Sequence, residues 1–380
     1  VYDNKEINAV LSVLKNESLT LIDGKKVKEL EKTVSKIFGK KYGLMVNSGS
    51  SANLLALSSF KFKKGSEVIT PNLTFSTTVA PIYQLGLIPH FVGVEENKFV
   101  TDVNQIEKCI NKKTVALMIP NLLGNIANWE AIHKIAKKYK LKVIEDCSQA
   151  HGAMIKNKKV GSFGDIATWS FCNDKIISTG GEGGFIATNN YFFWKKLWSI
   201  KDIGKDYNSV FKKKHKEGFK WFHDHIGTNM RMTEMQAAIG LIQLANLEKM
   251  ISLRNRNSVK IWKTASKFDC FRIQNIPSDI RFAGYRCYIF VKNNRLKKGW
   301  SRSKIITALN YNGINCKSGS CPEIYKEKAF KNLGYKDLNL KIAKQLGKES
   351  IAFEVHPNLT KYEINYICSK ISKVGIMCSN

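Results

Sequence analysis

From residue 5 to about 250 the chain alternates stretches of helical apolar spacing with short apolar runs of strand length. That alternation confines it to an α/β fold built on a mostly parallel sheet, because parallel neighbours need a crossover between them. Val27, Leu30, Val34, Ile37 and Phe38 fall on one face of a helix over 26–38. A buried strand at 43–46 comes next, then the small-residue stretch Asn47-Ser-Gly-Ser-Ser-Ala-Asn53 and an apolar helix over 52–60. Further strands are expected at 67–70, 89–94, 115–120, 142–146, 166–171 and 185–188, with helices at 76–85, 103–110 and 129–139. Residues 232–250 read as one long helix, and the pattern changes after it. This predicts a large α/β domain over 1–250 and a smaller α+β domain over 251–380, in which a strand at 288–291 alternates with helices at 303–312 and 342–350.

The net charge of +30 raises the question of nucleic acid or an anionic membrane as partner. The distribution argues against both. Only eight of the 61 cations are Arg, the side chain suited to bidentate base and phosphate recognition. The lysines are scattered, their longest run is Lys212-Lys213-Lys214, and no aromatic pattern accompanies them. Nine cysteines, an odd number without a Cys-x-x-Cys pair, fit a reducing compartment. There is no apolar run of about 18 residues. Neither nucleic acid nor membrane is expected as a partner, and the cytoplasm is the expected location. Three Asn-x-Ser/Thr acceptor patterns, at Asn16, Asn72 and Asn358, carry no weight without a sign of secretion.

Four segments bear on chemistry. Asn47-Ser48-Gly49-Ser50-Ser51-Ala52 lies between a strand and a helix, where free backbone N–H groups and small hydroxyls make an anion site suited to phosphate; the plainer reading is a serine N-cap after a turn. Val143-Ile144-Glu145-Asp146 ends a strand in acids, and the carboxyl ends of parallel strands are where ligands bind. An acid there could hold a metal, a ribose or a heteroaromatic nitrogen, or merely cap the next helix. Ser170 through Gly184 holds one lysine, Lys175, among small and apolar residues, a setting expected to depress its pKa and free the amine for Schiff-base chemistry. The glycines after it indicate a backbone packed close to something. In Gly227-Thr-Asn229-Met-Arg231-Met-Thr233-Glu-Met-Gln236, Thr233 and Gln236 have the spacing of a capping box, which leaves Asn229 and Arg231 unexplained. His223 and His225 could face a metal from a strand, but no third ligand is in evidence and no metal is expected.

The order of these motifs, with Asn121-Leu-Leu-Gly124, Ser318-Gly-Ser-Cys321 and His356-Pro357, resembles the DegT/StrS-type sugar aminotransferases across nearly the whole chain. Members are pyridoxal 5'-phosphate (PLP) enzymes of fold type I. The resemblance implies PLP as cofactor and assigns roles position by position. Lys175 matches the lysine that carries the cofactor and moves the substrate proton, and Asp146 the acid that pairs with the pyridine nitrogen. Gln149 matches a polar partner of the phenolic oxygen, and Phe75 the aromatic that stacks on the ring. Gly49, Ser50, Ser51 and Ser170 match phosphate-binding positions. Asn229 matches a residue that reaches the phosphate of a neighbouring subunit, implying a homodimer with shared active sites. Arg231 matches a basic position near the substrate entrance.

The activity implied by the resemblance is transfer of an amino group from an amino acid, glutamate first among donors, to a nucleotide-diphosphate-linked 4-keto-6-deoxy sugar. Carbon 4 is the expected position of amination and carbon 3 the alternative; the product would feed surface polysaccharide or glycan synthesis. Some relatives that share this wording are 3-dehydratases with His in place of the lysine, and Lys175 favours transamination over that alternative. A non-catalytic regulatory protein on the same scaffold has no evident need for both Lys175 and Asp146. Asn173-Asp174 departs from the family's commoner residues and places an acid beside the lysine.

Overall fold

The computed structural model describes residues 2–15, 19–20, 24–96, 98–331, 334–335 and 337–380; the acceptor pattern at Asn16 lies outside them. The large sheet holds β1 (Tyr42–Val46), β2 (Glu67–Pro71), β3 (Ile88–Val92), β4 (Thr114–Pro120), β5 (Lys142–Asp146), β8 (Ile166–Ser170) and β9 (Gly184–Thr188), in the order β1-β9-β8-β5-β4-β2-β3. Between β5 and β8 the chain forms the two-residue strands β6 (Met154–Ile155) and β7 (Lys158–Lys159), which join β11 (Ile280–Arg281) in a separate small sheet. All neighbours in the large sheet are parallel except at β9, which is antiparallel to both β1 and β8. The mostly parallel α/β sheet expected from the sequence is therefore present, with one reversed strand.

Strand alternation divides the two faces. Met45, Leu117, Ile119 and Val143 pack in one core with the helices Lys26–Ile37, Trp129–Tyr139 and Glu234–Ala245. Leu44, Val46, Met118 and Ile144 point the other way, onto the helices Gly49–Ser59 and Tyr191–Lys201. A second sheet of β10 (Phe271–Ile273), β12 (Cys287–Val291), β13 (Cys316–Ser318) and β14 (Ser350–Phe353), antiparallel throughout, carries its own core with the C-terminal helix Lys361–Cys378.

One expectation about the middle of the chain needs correction. The long helix over 232–250 is two helices, Glu234–Ala245 and Leu247–Ala265, separated at Asn246, whose ψ of 0° leaves the helical range. The boundary read near 250 lies within the second of these helices. Leu247 and Ile251 of that helix lie in the first core, while Ile261, Trp262 and Ala265 lie in the second, so one continuous rod joins both. The capping box is formed as the spacing predicts: Thr233 Oγ1 accepts from the Gln236 N–H, and the Gln236 side chain accepts from the Thr233 N–H.

The end of β5 carries the costliest group in the large core. Glu145 is fully buried. Its carboxylate accepts from the backbone N–H groups of Gly161 (2.7 Å), Phe163 (2.9 Å) and Gly164 (3.0 Å) and from Asn121 Nδ2 (3.1 Å). Burial raises its pKa, and those N–H donors with the charge of Lys40 work against the rise. We expect Glu145→Leu, which strands three backbone donors and removes the negative charge near the buried Lys40, to lower stability by about 3 kcal/mol or more. Urea unfolding monitored by circular dichroism would read this as a lower midpoint with an unchanged slope.

Candidate active site

Six of the seven large-sheet strands point one way, so their carboxyl ends converge with the amino end of the reversed β9. A cavity of about 560 Å³ opens there, between the two sheets, and is lined by residues just beyond β1, β4, β5 and β8 together with the second sheet's Tyr288, Lys317 and Ala352.

Its floor is the turn after β1. Ser48 is extended and caps the helix Gly49–Ser59, its Oγ accepting from the Ser51 N–H at 3.1 Å, so the plainer reading of this motif holds. It does not exclude the other: Ser48, Gly49 and Ser50 also line the cavity, where the first N–H groups of an eleven-residue helix are available to an anion. Ser51 differs, since its Oγ lies 3.0 Å from Ser48 Oγ within the cap and it does not line the cavity. Two glycines make the floor possible. A Cβ on Gly49 would lie 2.6 Å from the Cβ of Ser170, and a Cβ on Gly184 would lie 2.3 Å from the Ser48 carbonyl oxygen. Of the glycine cluster read from the sequence, Gly184 packs against the floor itself.

Asp146 ends β5 one residue after Glu145 and so points to the opposite face. Its Oδ2 accepts from Asn53 Nδ2 and Thr78 Oγ1, each at 3.1 Å, and its Oδ1 from the Ser148 N–H at 3.0 Å. Asn53 is in turn held by Thr168 Oγ1 at 2.6 Å. An acceptor fixed by three donors, at the edge of a cavity, suits pairing with a protonated ring nitrogen better than metal binding. Among the described residues no group of three His, Cys, Asp or Glu could hold a metal ion.

Gln149 lines the same cavity with its Oε1 taken by the Leu123 N–H at 2.9 Å, which leaves its NH₂ as the remaining donor. Leu123 makes that bond from a left-handed backbone, φ 61°, an uncommon conformation for a non-glycine residue. Phe75 is 61% exposed and borders the cavity, an arrangement that leaves a ring face open to stacking. Ser170 lines the cavity and accepts from the Cys172 N–H.

Lys175 is brought to the same cavity with its Nζ 3.2 Å from Asp174 Oδ1 and 3.3 Å from Tyr285 Oη. The depressed pKa expected from the sequence is not found. Burial, the largest single influence, does pull the ammonium down, but Tyr285 and Asp174 more than reverse it and leave the pKa raised. His151 is buried outside the cavity lining and is held neutral, its pKa down to about 3 through burial and the nearby charge of Lys175.

Asn229 and Arg231 do not line this chain's cavity. The strap that carries them runs beside the end of β1, through a bridge between Arg231 and Val46 and a 2.9 Å bond from the Asn47 N–H to the Met230 carbonyl. Arg231 Nη1 is paired with Asp202 Oδ1 at 2.8 Å, and Asn229 Oδ1 accepts from the Arg231 N–H. The sequence reading missed Asn53, Thr78, Tyr285 and Arg286. Asn53 stands one helical turn after Gly49, so helical spacing alone would have placed it on the face of the floor. Tyr285 and Arg286 give no local signal, because they reach the site only when the second sheet docks.

The profile of the DegT/DnrJ/EryC1/StrS aminotransferase family matches residues 1–372. An aminotransferase from Psychrobacter cryohalolentis has the same fold with a TM-score of 0.96 and 36% identity, covering 99% of this chain and 98% of that one. GDP-perosamine synthase of Caulobacter vibrioides is 31% identical over 98% of this chain and 96% of its own length. The GDP-4-keto-6-deoxy-D-mannose-3-dehydratase of E. coli, solved with bound hydrated PLP, has a TM-score of 0.87 at 29% identity, covering 98% and 97% of the two chains.

The close approach of Gly184 to Ser48 makes the floor sensitive to a single methyl group. Gly184→Ala should displace the turn at a cost of about 1–3 kcal/mol, which corresponds to a roughly 5- to 150-fold loss of PLP affinity. Equilibrium dialysis of the variant against PLP would measure it.

Proposed function

This chain belongs to the DegT/DnrJ/EryC1/StrS aminotransferase family, whose fold is the type I fold of PLP enzymes, and we propose that it aminates a nucleotide-linked 4-keto-6-deoxy sugar at carbon 4 with glutamate as donor. The observation that carries this reading is that the amine of Lys175 and the triply held carboxylate of Asp146 line one cavity whose floor is a helix N-terminus. That set fits PLP: an anion site a glycine Cβ would fill, an acceptor for the ring nitrogen, an exposed aromatic and a lysine.

In this assignment Gly49, Ser50 and Ser170 would hold the cofactor's phosphate, Phe75 would stack on its ring, and Gln149 would donate to its phenolic oxygen. Asp146 would keep a proton on the ring nitrogen, and its three donors hold the carboxylate oriented for that task. Bound there, PLP supplies a ring that draws electron density from the bonds at the substrate's amine-bearing carbon. Lys175 would carry the cofactor, then take the proton from that carbon at Nζ and return it on the other side of the transfer. The floor and the second sheet enclose these atoms and limit access of water. Because Asn229 and Arg231 lie outside their own chain's cavity, we assign them to the site of a second copy, Asn229 to its phosphate and Arg231 to its entrance, in a cytoplasmic homodimer.

GDP is the first nucleotide to test, since the relatives named GDP-perosamine synthase and GDP-4-keto-6-deoxy-D-mannose 3-dehydratase take GDP-linked sugars by their names. Dehydration would call for His where this chain has Lys175, so transamination is favoured.

With PLP added, the protein should show an absorption band near the visible edge that is lost in Lys175→Ala and bleaches on addition of glutamate. A band that persists in Lys175→Ala would remove this lysine from its assigned role, and a band indifferent to glutamate would point to another donor or to dehydration. Asp146→Asn should retain PLP but slow the glutamate half-reaction on the order of a hundredfold or more, as read by stopped-flow absorbance.

A further inference from the structure

The amine of Lys175 is gripped from two sides by groups that the family roles leave unassigned. Asp174 Oδ1 stands 3.2 Å from Nζ and Tyr285 Oη 3.3 Å, with Nζ 5.0 Å from the centre of the Tyr285 ring. The two partners are joined to each other, since Tyr285 Oη donates a short hydrogen bond to Asp174 Oδ2. Arg254 fixes the backbone beneath them, donating to the carbonyls of Tyr285 at 3.2 Å and Lys175 at 3.5 Å. Asp174, Lys175, Tyr285 and Arg286 form a wall shared by the cavity described above and a second one, of about 650 Å³, on the far side.

The charges around this wall decide what the grip does. On the Lys175 side stand three cations: Lys175 itself, the buried Arg254, and Arg286, whose Nη2 is 3.6 Å from Asp174 Oδ2 and whose Nη1 is 3.5 Å from Glu354. His151, packed beneath, is neutral and contributes no charge. His356 and Glu354 line only the second cavity, and Asp146 and Glu182 only the first. Asp174 is therefore the one carboxylate of these that touches Nζ, and without it three cations would share a largely buried corner.

We propose that Asp174 and Tyr285 are positioning residues for Lys175: they hold its free amine in one place and in its proton-carrying form, and so set the pH range over which it can attack. The consequence for the reaction is directional. A lysine that keeps its proton is ready to deliver one to the substrate carbon on the return of the transfer, and it is slower to take a proton from that carbon and to attach a fresh cofactor, both of which require the neutral amine. Asp174, whose carboxylate touches Nζ, is the residue that makes this trade in the present chain. The proposal rests on the assignment of Lys175 as the cofactor lysine.

Two experiments separate the proposal from that assignment. In the first, the full chain is incubated with PLP, reduced with borohydride and mapped by mass spectrometry; label on any residue other than Lys175 would overturn the cofactor assignment and with it the proposal. In the second, the cofactor-free full chain is acetylated with acetic anhydride over a range of pH, and labelling of Lys175 is compared among wild type, Asp174→Asn and Tyr285→Phe. The other lysines serve as internal standards. We expect the half-labelling pH of Lys175 to fall by about one unit or more in Asp174→Asn and by less in Tyr285→Phe. Attachment of PLP at neutral pH should then be about tenfold faster in Asp174→Asn. A Lys175 profile in Asp174→Asn that superimposes on wild type overturns the proposal. Should that variant lose its fold, seen as labelling of the buried Lys201, then Tyr285→Phe decides alone, and a superimposed profile there overturns it equally.

Discussion

A strand sends neighbouring side chains to opposite faces, and a buried carboxylate must find donors or unfold its surroundings. The end of β5 combines these two constraints, and the cavity is arranged around them. Glu145 goes inward and is satisfied by the loop over 161–164, which fixes the path of the chain between β5 and β8. Asp146 goes outward and is satisfied from the helices on the other face, through Asn53 and Thr78. Two adjacent acids thus do different work: one ties down the scaffold and the other is held at the edge of the cavity. The helix Gly49–Ser59 is drawn into the same arrangement, because it supplies both the donor that steadies Asp146 and the N-terminus that forms the floor.

The local part of this was legible in the sequence, and the non-local part was not. Most strand and helix positions between residues 26 and 188 could be read from apolar period, since parallel buried strands leave continuous apolar runs that flanking helices do not, whereas the helices Asn4–Lys15 and Tyr191–Lys201 were not read. The motifs at 47–53, 143–151 and 170–184 could be seen to belong at strand ends, and the structure brings all three to one cavity. Failures came where tertiary packing overrides local pattern. Nothing in the composition of 232–250 shows that Asn246 breaks the helix, and nothing near Lys175 shows that Tyr285, more than a hundred residues later, will meet it. The depressed pKa expected for Lys175 rested on burial alone. The structure adds two partners to the balance, and their combined effect has the opposite sign.

The second sheet is more than an appendage to this arrangement. Tyr285 and Arg286 reach the wall beside Lys175, and Tyr288 and Lys317 face the cavity from strands of the second core. Because the helix Leu247–Ala265 is shared by both cores, motion of one sheet against the other would bend a buried rod. The two halves of the cavity are consequently held in register by a single element, and Arg254 on that element also bonds the carbonyl of Lys175.

The meeting of Ser48 with Gly184 has a bearing on how the chain folds. These residues lie far apart in the chain, and β9, the last strand of the large sheet in sequence, sits between β1 and β8. Contacts of such long separation carry a large loop-closure cost and tend to form late. The cavity floor should thus be among the last parts of the large sheet to be completed, and among the first to open when β9 loosens. An anionic ligand that spans the turn and the β9 edge would then act as a latch on the finished sheet, making resistance to local opening depend on ligand concentration.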